Sequence, residues 1–390
     1  MLRIGCLTMW MAAAGCLQAL EFARPFGSAM VLPMGRDVAV WGAGASGDGV
    51  RLRMGGREIA GTAAADGAWR VVLPAMPASA EAMTLEIVSG EERKVLDNIL
   101  VGEVWICAGQ SNMEYPLSSA VGGKEELKSV SAFPRIRLCN LSGVSTANRS
   151  FSDAERGRMT SGAYFQGGWV VPDERSAASF SAVGWWAGKT IHETKDVPVG
   201  LIDVSVGGSG AEAWLPREVL EAREEYAPLL GDDWLESPRI GAWARGRAKT
   251  NLGGKPGAHP YQPGFLYDAG VRWWSGFPIT GVLWYQGETN AEIHDDAWNE
   301  RLITDLVFGW RKVLQQPDLP FFMVQLPRIG GNDPLRQWWP EFREVQSRAA
   351  AKLDGVTLIE TQDLGWDGPN VHPPDKRPVG ERLGKAAARR

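Results

Sequence analysis

The chain has 390 residues, of which 44% are apolar and 22% are charged, a globular composition that excludes wholesale disorder. Its length predicts two or three packed units rather than one small domain. The 41 basic and 46 acidic side chains leave a net charge of −5, which argues against a nucleic-acid-binding protein that works by neutralising phosphates.

Residues 1–19 have the features of a secretory signal peptide. Arg3 supplies a positive end, the apolar stretch 4–17 is too short to span a bilayer, and Ala19 ends a plausible cleavage site. A weaker lipoprotein-type site would instead leave Cys16 lipidated. We favour cleavage after Ala19 and expect a secreted or periplasmic protein. No later stretch reaches the roughly 18 consecutive apolar residues of a membrane span.

Cleavage would leave two cysteines, Cys107 and Cys139. Two cysteines cannot build a framework of several disulfides. Export permits one disulfide between them, and two buried free thiols account for the sequence equally well.

Residues 20–97 alternate apolar and polar side chains in short bursts, for example at 50–54, 69–73 and 83–87. Gly and Asp-Gly breaks separate these bursts. Such alternation is typical of antiparallel strands with one buried face. The sequence therefore predicts an N-terminal antiparallel β-sandwich domain.

From residue 98 onward, continuous apolar runs replace the alternation. These runs predict buried strands at 104–107, 199–206, 279–285, 321–326 and 356–359. Helical patterns lie between them, at 300–315 and at 340–353, where Pro340 suits a first helical turn. Buried strands alternating with helices predict an α/β domain over 98–390, with a parallel sheet covered on both faces.

Long loops and many aromatic side chains suggest a rim around a ligand site. Residues 140–180 and 228–265 are rich in Gly, Ser, Arg and Pro and are predicted to be rim loops. The 18 tryptophans either pack cores or form aromatic walls for a sugar-like ligand. The side chains considered for the rim are Trp214, His259, His294, Trp338 and Trp339.

The first candidate functional segment is the strand that ends in Gly-Gln-Ser-Asn-Met at 109–113. Ser111 stands where a helix should begin, and the N–H groups of a helix start favour negative charge developing on a nucleophilic oxygen. Met113 distinguishes the segment from the Gly-x-Ser-x-Gly elbow of α/β-hydrolases. A serine at this position is most often only an N-cap.

Two further segments follow predicted strands. The Gly pair in Val-Gly-Gly-Ser at 206–209 permits the close backbone approach of an oxyanion hole, or it simply makes a tight turn. In Gln-Gly-Glu-Thr-Asn at 286–290, Asn290 either places a carboxamide donor beside the same pocket or caps a helix. Glu288 lies between as a hydrogen-bond acceptor or a helix-start charge.

The fourth segment, 363–374, contains one of the four histidines of the chain. His372 lies in a proline-braced loop after the last predicted strand, where its ring can be held for proton transfer. A single loop histidine is more often structural. However, Ser, Gly, Asn and His occur in this order at or after successive strand ends, the edge where doubly wound sheets bind ligands, and together they predict one common site.

These segments resemble the blocks of the SGNH (GDSL-like) hydrolases, and most closely those of the sialate O-acetylesterase branch of carbohydrate esterases. The resemblance rests on Gly-Gln-Ser-Asn-Met, Val-Gly-Gly-Ser-Gly-Ala-Glu-Ala-Trp, Trp-Tyr-Gln-Gly-Glu-Thr-Asn, and Asp-Leu-Gly followed by His-Pro. It extends from about residue 21 to the end. It implies a three-layer α/β/α, flavodoxin-like hydrolase domain and a serine esterase that removes O-acetyl groups from carbohydrates, with sialic acids first.

The resemblance implies Ser111 as nucleophile and His372 as general base. It implies an oxyanion hole formed by the Ser111 amide, a Gly207 or Gly208 amide and the Asn290 side chain. We add four candidate substrate contacts: Gln110, Trp214, Glu288 and His259. No cofactor or metal is implied, and the expected partner is an acetylated carbohydrate.

One position departs from the family pattern. The family usually places an Asp two or three residues before its His, where this chain has Asn370 and Pro369. The nearest acids are Asp367 and, further back, Asp363. Because an Asn carbonyl can also accept the ring N–H, the orienting group is Asp367, which we favour, or Asp363, Asn370 or a backbone carbonyl.

Two alternatives to a sialate O-acetylesterase remain. An esterase for acetylxylan or another acetylated polysaccharide would carry the same four blocks and differ in its rim loops. A catalytically impaired carbohydrate-binding homologue is favoured by the substitution at Asn370 and opposed by the retained Ser, Gly-Gly, Asn and His.

Overall fold

The structure is a computed structural model that describes residues 19–331, 336–368 and 370–390. The predicted signal peptide, including Cys16, therefore lies outside the described residues except for Ala19, and so does Pro369. Within the described ranges, none of the helices combines the length and the apolar character that crossing a bilayer requires.

The N-terminal region consists of short strands, as its alternating pattern predicts. They are β1 (Glu21–Phe22), β2 (Val31–Pro33), β3 (Val38–Ala43), β4 (Gly49–Met54), β5 (Arg57–Thr62), β6 (Ala68–Leu73) and β7 (Ser79–Ser89). Strands β1, β3 and β6 form a three-stranded antiparallel sheet, while β4 pairs antiparallel with β5 and β7. In β4 and β6, buried and exposed residues alternate strictly. The predicted antiparallel pairing is confirmed.

Strand β8 (Glu92–Gly109) joins this region to the rest of the chain. Its first part pairs antiparallel with β7, and its last part pairs in parallel with strands of the larger sheet. The domain boundary predicted at residue 97 therefore falls inside a continuous strand that both regions share.

Within the described residues the larger sheet has eleven strands, because β2 and β7 also pair with β8 and β4 and β5 extend from β7; its main path contains β8 and six further strands. These are β9 (Ile136–Asn140), β10 (Trp169–Val170), β11 (Val199–Asp203), β12 (Gly281–Tyr285), β13 (Phe321–Val324) and β14 (Val356–Ile359). In the order β10-β9-β11-β8-β12-β13-β14, every neighbouring pair is parallel except β10 with β9. Strand β8 is central, with β11 and β12 on its two sides, and open α/β sheets bind ligands outside such carboxyl ends.

Helices cover both faces of this sheet. The α-helices of the described residues are α1 (Ser111–Glu114), α2 (Gly123–Leu127), α3 (Asp153–Gly157), α4 (Glu174–Ala178), α5 (Ala182–Lys195), α6 (Arg217–Glu221), α7 (Ala242–Leu252), α8 (Asp296–Val313), α9 (Trp339–Lys352) and α10 (Arg377–Ala388). Successive β8 residues alternate between two cores: Val104 and Ile106 join the one that contains α8 and α9 side chains, and Trp105 and Cys107 join the one that contains α5 and α10 side chains. A strand buried on both faces explains the continuous apolar run.

Cys107 and Cys139 are buried free thiols. They lie on β8 and β9, and β11 runs between these two strands. Burial raises the pKa of both thiols, which keeps them protonated and unreactive.

Candidate active site

The carboxyl ends of neighbouring strands bring the polar side chains of the site together. Ser111 begins α1 directly after β8, the Gly pair follows β11, and Glu288 follows β12. His372 comes from the loop between β14 and α10. Since parallel neighbours end at one edge of the sheet, segments far apart in sequence meet there.

The structure brings Ser111 and His372 into contact. The Nε2 atom of His372 lies 2.7 Å from the Oγ atom of Ser111, although 261 residues separate them. Both residues line a cavity of about 760 Å³, which is within the usual size range of small-molecule sites. A hydroxyl within hydrogen-bond reach of an imidazole is the arrangement that activates a serine nucleophile.

The surroundings of His372 favour the neutral imidazole. Burial lowers its pKa to about 4, and the positive charges of Lys376 and Arg336 act in the same direction. The ring is therefore neutral near pH 7, and a neutral ring is able to accept the proton of Ser111.

The two acids predicted to orient this ring are each paired with an arginine instead. Asp367 pairs with Arg328, and its side chain is 84% exposed. Asp363 pairs with Arg382 through both carboxylate oxygens, at 2.7 and 2.8 Å. The preference for Asp367 is therefore wrong in this structure, because its exposed carboxylate contacts Arg328 and makes no hydrogen bond to the imidazole.

Asn370 acts on the backbone of the loop rather than on the ring. Its Oδ1 accepts the backbone N–H of His372 at 3.1 Å, and its carbonyl accepts a hydrogen bond from Trp366 Nε1 at 2.7 Å. These contacts hold the loop that carries His372. The Asn370 side chain therefore does not accept a hydrogen bond from the imidazole, which the alternative with Asn370 as orienting group requires.

Gly207 and Gly208 line the cavity beside Ser111. Gly208 has φ +77°, the left-handed region that favours glycine, and a Cβ there would approach the Trp243 ring to 2.3 Å. The Gly207 amide donates to Glu114 Oε2 at 2.7 Å. One of the two predicted backbone donors is thus already engaged by a carboxylate.

Asn290, predicted as a side-chain donor of the oxyanion hole, is only 2% exposed and lies outside the cavity lining. Its Nδ2 donates to Glu212 Oε2 at 3.1 Å, while its Oδ1 accepts from Ala211 N at 2.8 Å and from Gln286 Nε2 at 2.5 Å. This prediction is wrong in the structure, because the carboxamide is consumed by interior hydrogen bonds.

Gln110, predicted as a substrate contact, does line the cavity. Its Oε1 accepts hydrogen bonds from Gln286 Nε2 at 3.1 Å and from the amides of Thr289 and Gly287 at 3.3 and 3.4 Å. These contacts use the carbonyl side of the amide. Its Nε2 is the group left to donate into the cavity. Glu288, another predicted contact, also lines the cavity.

The site therefore combines a neutral imidazole, a hydroxyl at a helix start and nearby amide donors. Such a set is chemically able to transfer an acyl group from an ester to water. Within the described ranges, no group of three or more His, Cys, Asp or Glu side chains is arranged to hold a metal ion.

Comparisons with known proteins find similarity to carbohydrate esterases. A family model described as carbohydrate esterase, sialic acid-specific acetylesterase, matches residues 240–389. Sialate O-acetylesterase of Rattus norvegicus is 27% identical over 88% of this chain and 68% of that protein; the Homo sapiens protein is 26% identical over 93% and 69%. The structure of a carbohydrate acetylesterase from Xanthomonas citri matches with 26% identity and a TM-score of 0.75, over 94% of this chain and 74% of that one.

The chain is thus similar to sialate O-acetylesterases and to a carbohydrate acetylesterase over most of its length. It is a carboxylic ester hydrolase. The chain spans about two thirds of the length of the rat and human relatives.

Two predicted substrate contacts of this esterase are core residues instead. Trp214 is fully buried, packs edge-on against Trp284, and donates to Ser209 Oγ at 3.0 Å. His259 is also fully buried, with its Nε2 3.2 Å from Asn251 Oδ1, and burial lowers its pKa to about 3. Both predictions are wrong, because neither side chain reaches the cavity.

The rim of the esterase cavity comes partly from the predicted loops. Residues 140–147 line it, and so does α7 of the 228–265 stretch. Among the other rim candidates, Trp339 lines the same cavity. His294 and Trp338 have ring centroids 3.9 Å apart and line a separate, smaller cavity.

Sequence reasoning missed the exposed aromatic side chain of the cavity. Trp243 on α7 is 40% exposed and lies against Gly208. The guanidinium of Arg247, one turn further along, is 4.8 Å from the Trp243 ring centroid and donates to the Thr146 carbonyl at 2.7 Å. The spacing Trp-x-x-x-Arg on one helix face was the available signal for this pair.

Glu114, which also lines the cavity, was missed as well.

Proposed function

We propose that this esterase removes O-acetyl groups from acetylated carbohydrates through a serine acyl-enzyme. The observation that carries the proposal is the 2.7 Å contact between His372 Nε2 and Ser111 Oγ in the wall of the large cavity. A neutral base beside a hydroxyl at a helix start activates a nucleophile.

In the proposed first step, His372 Nε2 takes the Ser111 proton while the oxygen attacks the acetyl carbonyl carbon. The tetrahedral oxyanion collapses, the ester C–O bond breaks, and the imidazolium gives its proton to the leaving sugar oxygen. Water then attacks the acetyl carbon while His372 takes its proton, the bond from that carbon to Ser111 Oγ breaks, and the imidazolium returns the proton to Ser111. Acetic acid leaves and ionises to acetate.

The oxyanion requires donors that converge on one point. We assign this role to the backbone amides of Ser111 and Gly208 and to Nε2 of Gln110, which takes the place predicted for Asn290. The Gly207 amide joins them only when Glu114 releases it. Each such donor contributes roughly 10²–10³ in turnover.

In this proposal the base works without a carboxylate on its outer nitrogen, since none contacts it in the part of the chain that the structure describes. Ser111 and His372 act as a dyad, and the His372 loop is held through its backbone by Asn370. Since a triad carboxylate stabilises the imidazolium that forms, we expect a dyad to turn over more slowly than a complete triad would.

Among acetylated carbohydrates, we propose O-acetylated sialic acids as the first substrate class. The description of the family model and the names of the rat and human relatives support this choice. Trp243 offers an exposed ring for the apolar face of a sugar. Arg247 lines the same cavity, and a guanidinium suits the carboxylate that sialic acids carry.

A substrate panel tests the proposal. Acetate release is measured from O-acetylated sialic acid, acetylxylan and acetylated pectin, with Ser111→Ala as the control for each. We expect the highest kcat/KM on the sialic acid. A higher value on acetylxylan would favour a polysaccharide acetylesterase with the same catalytic pair. Release no faster than that of the control on every substrate would reject the function.

We also propose that the chain is exported. The charged start, apolar stretch and cleavage site of residues 1–19 support export. Export would place the esterase among extracellular or periplasmic glycans, where acetylated sugars occur as polymers and glycoconjugates.

A further inference from the structure

A buried lysine lies beside the proposed catalytic pair and has no part in the mechanism described so far. Lys376 is 1% exposed, and its ammonium donates to Oδ1 of Asn112. The same ammonium lies 4.8 Å from the centroid of the Tyr115 ring. Because burying an ammonium group is costly unless it is paired, its position at this site requires an explanation.

Asn112, the residue after the nucleophile, connects this lysine to two other segments. Its Nδ2 donates to Glu288 Oε1 and, at 3.0 Å, to the carbonyl of Val371. Val371 immediately precedes His372. One buried carboxamide thus joins α1, the loop after β12, and the histidine loop on both sides of its histidine. We name Asn112, Glu288, Val371 and Lys376 the Asn112 bridge.

The Asn112 bridge contains two opposite charges that the carboxamide keeps apart. Glu288 accepts through Oε1, and its Oε2 is buried without a hydrogen-bond partner in the part of the chain that the structure describes. Burial raises the pKa of Glu288 and lowers the pKa of Lys376 to about 7. Because a buried polar group that loses its partner costs free energy, these contacts favour one fixed arrangement of the four residues.

We propose that Lys376 is a positioning residue: anchored through Asn112, it locks the His372 loop onto the nucleophile helix and keeps a positive charge beside the imidazole. The inference rests on the proposed function, since it assigns a task around the same base. It also explains how the imidazole is held in position without the carboxylate that does this in a catalytic triad. The charge weakens the base and thereby keeps it unprotonated in mildly acidic solution.

The sign of the pH effect follows from the groups around the two side chains. His372 faces Ser111, Tyr115, Lys376 and Arg336, and Lys376 faces Asn112, Glu288, Asp375 and Tyr115. Burial and both cations disfavour the imidazolium, so they lower the pKa of His372. Below pH 7 Lys376 is mainly charged, so its charge acts throughout the range in which the imidazole titrates.

The test compares Lys376→Met, Lys376→Arg and the matched control Lys189→Met. Lys189 also places its ammonium over a ring, 4.5 Å from the Phe133 centroid, but it lies on α5 and pairs with Glu126. Hydrolysis of p-nitrophenyl acetate is followed from pH 4 to pH 8. For Lys376→Met we expect kcat to fall at least about tenfold with KM within about twofold.

The apparent pKa at which kcat/KM falls in acid (the acid limb) is a measurement that a purely structural role of Lys376 would not change. In Lys376→Met this pKa should rise by about half a unit or more, because one of the charges that oppose the imidazolium is gone. Lys376→Arg should restore the parental limb, and Lys189→Met should keep it. If Lys376→Met does not fold, Lys376→Gln, which keeps a donor for Asn112, replaces it with the same expected shift.

A neutral variant with the parental limb overturns the inference, whether or not its turnover falls. This result is distinguishable from failure of the proposed function. If Ser111→Ala keeps the parental rate, the function is wrong. If Ser111→Ala is inactive while the neutral lysine variants keep the parental profile, the function stands and only the inference fails.

Discussion

The imidazole of His372 lies 2.7 Å from the hydroxyl of Ser111, across 261 residues of sequence. The contact forms because the helix after β8 and the loop after β14 open at the same edge of the parallel sheet. A base within this distance needs no rearrangement to take the serine proton.

The activity should extend to unusually acidic pH. Burial and two nearby cations lower the pKa of His372 to about 4, so the base stays neutral until the pH approaches that value. We therefore expect kcat/KM for p-nitrophenyl acetate to be flat between about pH 6 and 7, where Lys376 keeps its charge, and to fall only below about pH 5. An acid limb at pH 6.5 or above would contradict this environment of the ring.

Asp367 should be dispensable. Its carboxylate is largely exposed and pairs with Arg328, and surface ion pairs of this kind contribute little. We expect Asp367→Asn to keep kcat within about twofold of the parent, whereas replacing a true triad Asp costs about 10⁴. Asp363→Asn, which removes the other surface acid, is the matched control. A loss of several orders of magnitude in the Asp367 variant alone would restore Asp367 as the orienting residue.

Gln110 should be the side-chain donor to the oxyanion. Gln110→Glu keeps an acceptor for the Gln286 side chain and the Thr289 amide but removes the donor, so we expect kcat to fall by roughly 10²-fold with little change in KM. Steady-state kinetics on p-nitrophenyl acetate measures both constants. Parental turnover in this variant would exclude the assignment.

Asn290 should matter for stability rather than for turnover. Asn290→Ala breaks buried hydrogen bonds to Glu212, Ala211 and Gln286, which should lower the free energy of unfolding by about 1–3 kcal/mol. Denaturant titration measures this loss. A fully stable Asn290→Ala with a turnover reduced a hundredfold would return Asn290 to the oxyanion hole.

Trp243 should select for substrates with a sugar ring. We expect Trp243→Ala to raise KM for an acetylated sugar about tenfold, the loss of one favourable stacking contact, and to leave hydrolysis of the small ester vinyl acetate unchanged. Phe308→Ala is the control, because Phe308 is 55% exposed but lies on α8 outside the cavity lining. Equal effects on both esters would show that the ring does not recognise sugar.

Much of the fold could be predicted because local patterns report burial directly. The run at 356–359 became β14 with the predicted bounds, and the run at 321–326 became the shorter β13. The strand β9 was not predicted, since Arg137 and Asn140 interrupt its apolar residues. The Ser111 and His372 positions follow from the rule that ligands bind at strand ends, combined with the family resemblance.

The remaining site predictions failed because the sequence locates a residue along the chain but does not show which neighbours its side chain will contact. The spacing of Asn290 from Gly287 locates it after β12 but does not show that Glu212, 78 residues earlier, would engage its carboxamide. Likewise, the sequence does not show that Asp367 would pair at the surface with Arg328, which lies in a separate loop. Composition reports 18 tryptophans but not that Trp243 would face the cavity while Trp214 packs inside.

Hydrolysis of p-nitrophenyl acetate by purified Ser111→Ala, compared with the parent at pH 7, tests the nucleophile directly. The variant removes one oxygen from a half-buried position and should fold normally. We predict a rate indistinguishable from the buffer background, with no acetyl group retained on the protein. Parental hydrolysis by this variant would contradict the whole account of the site.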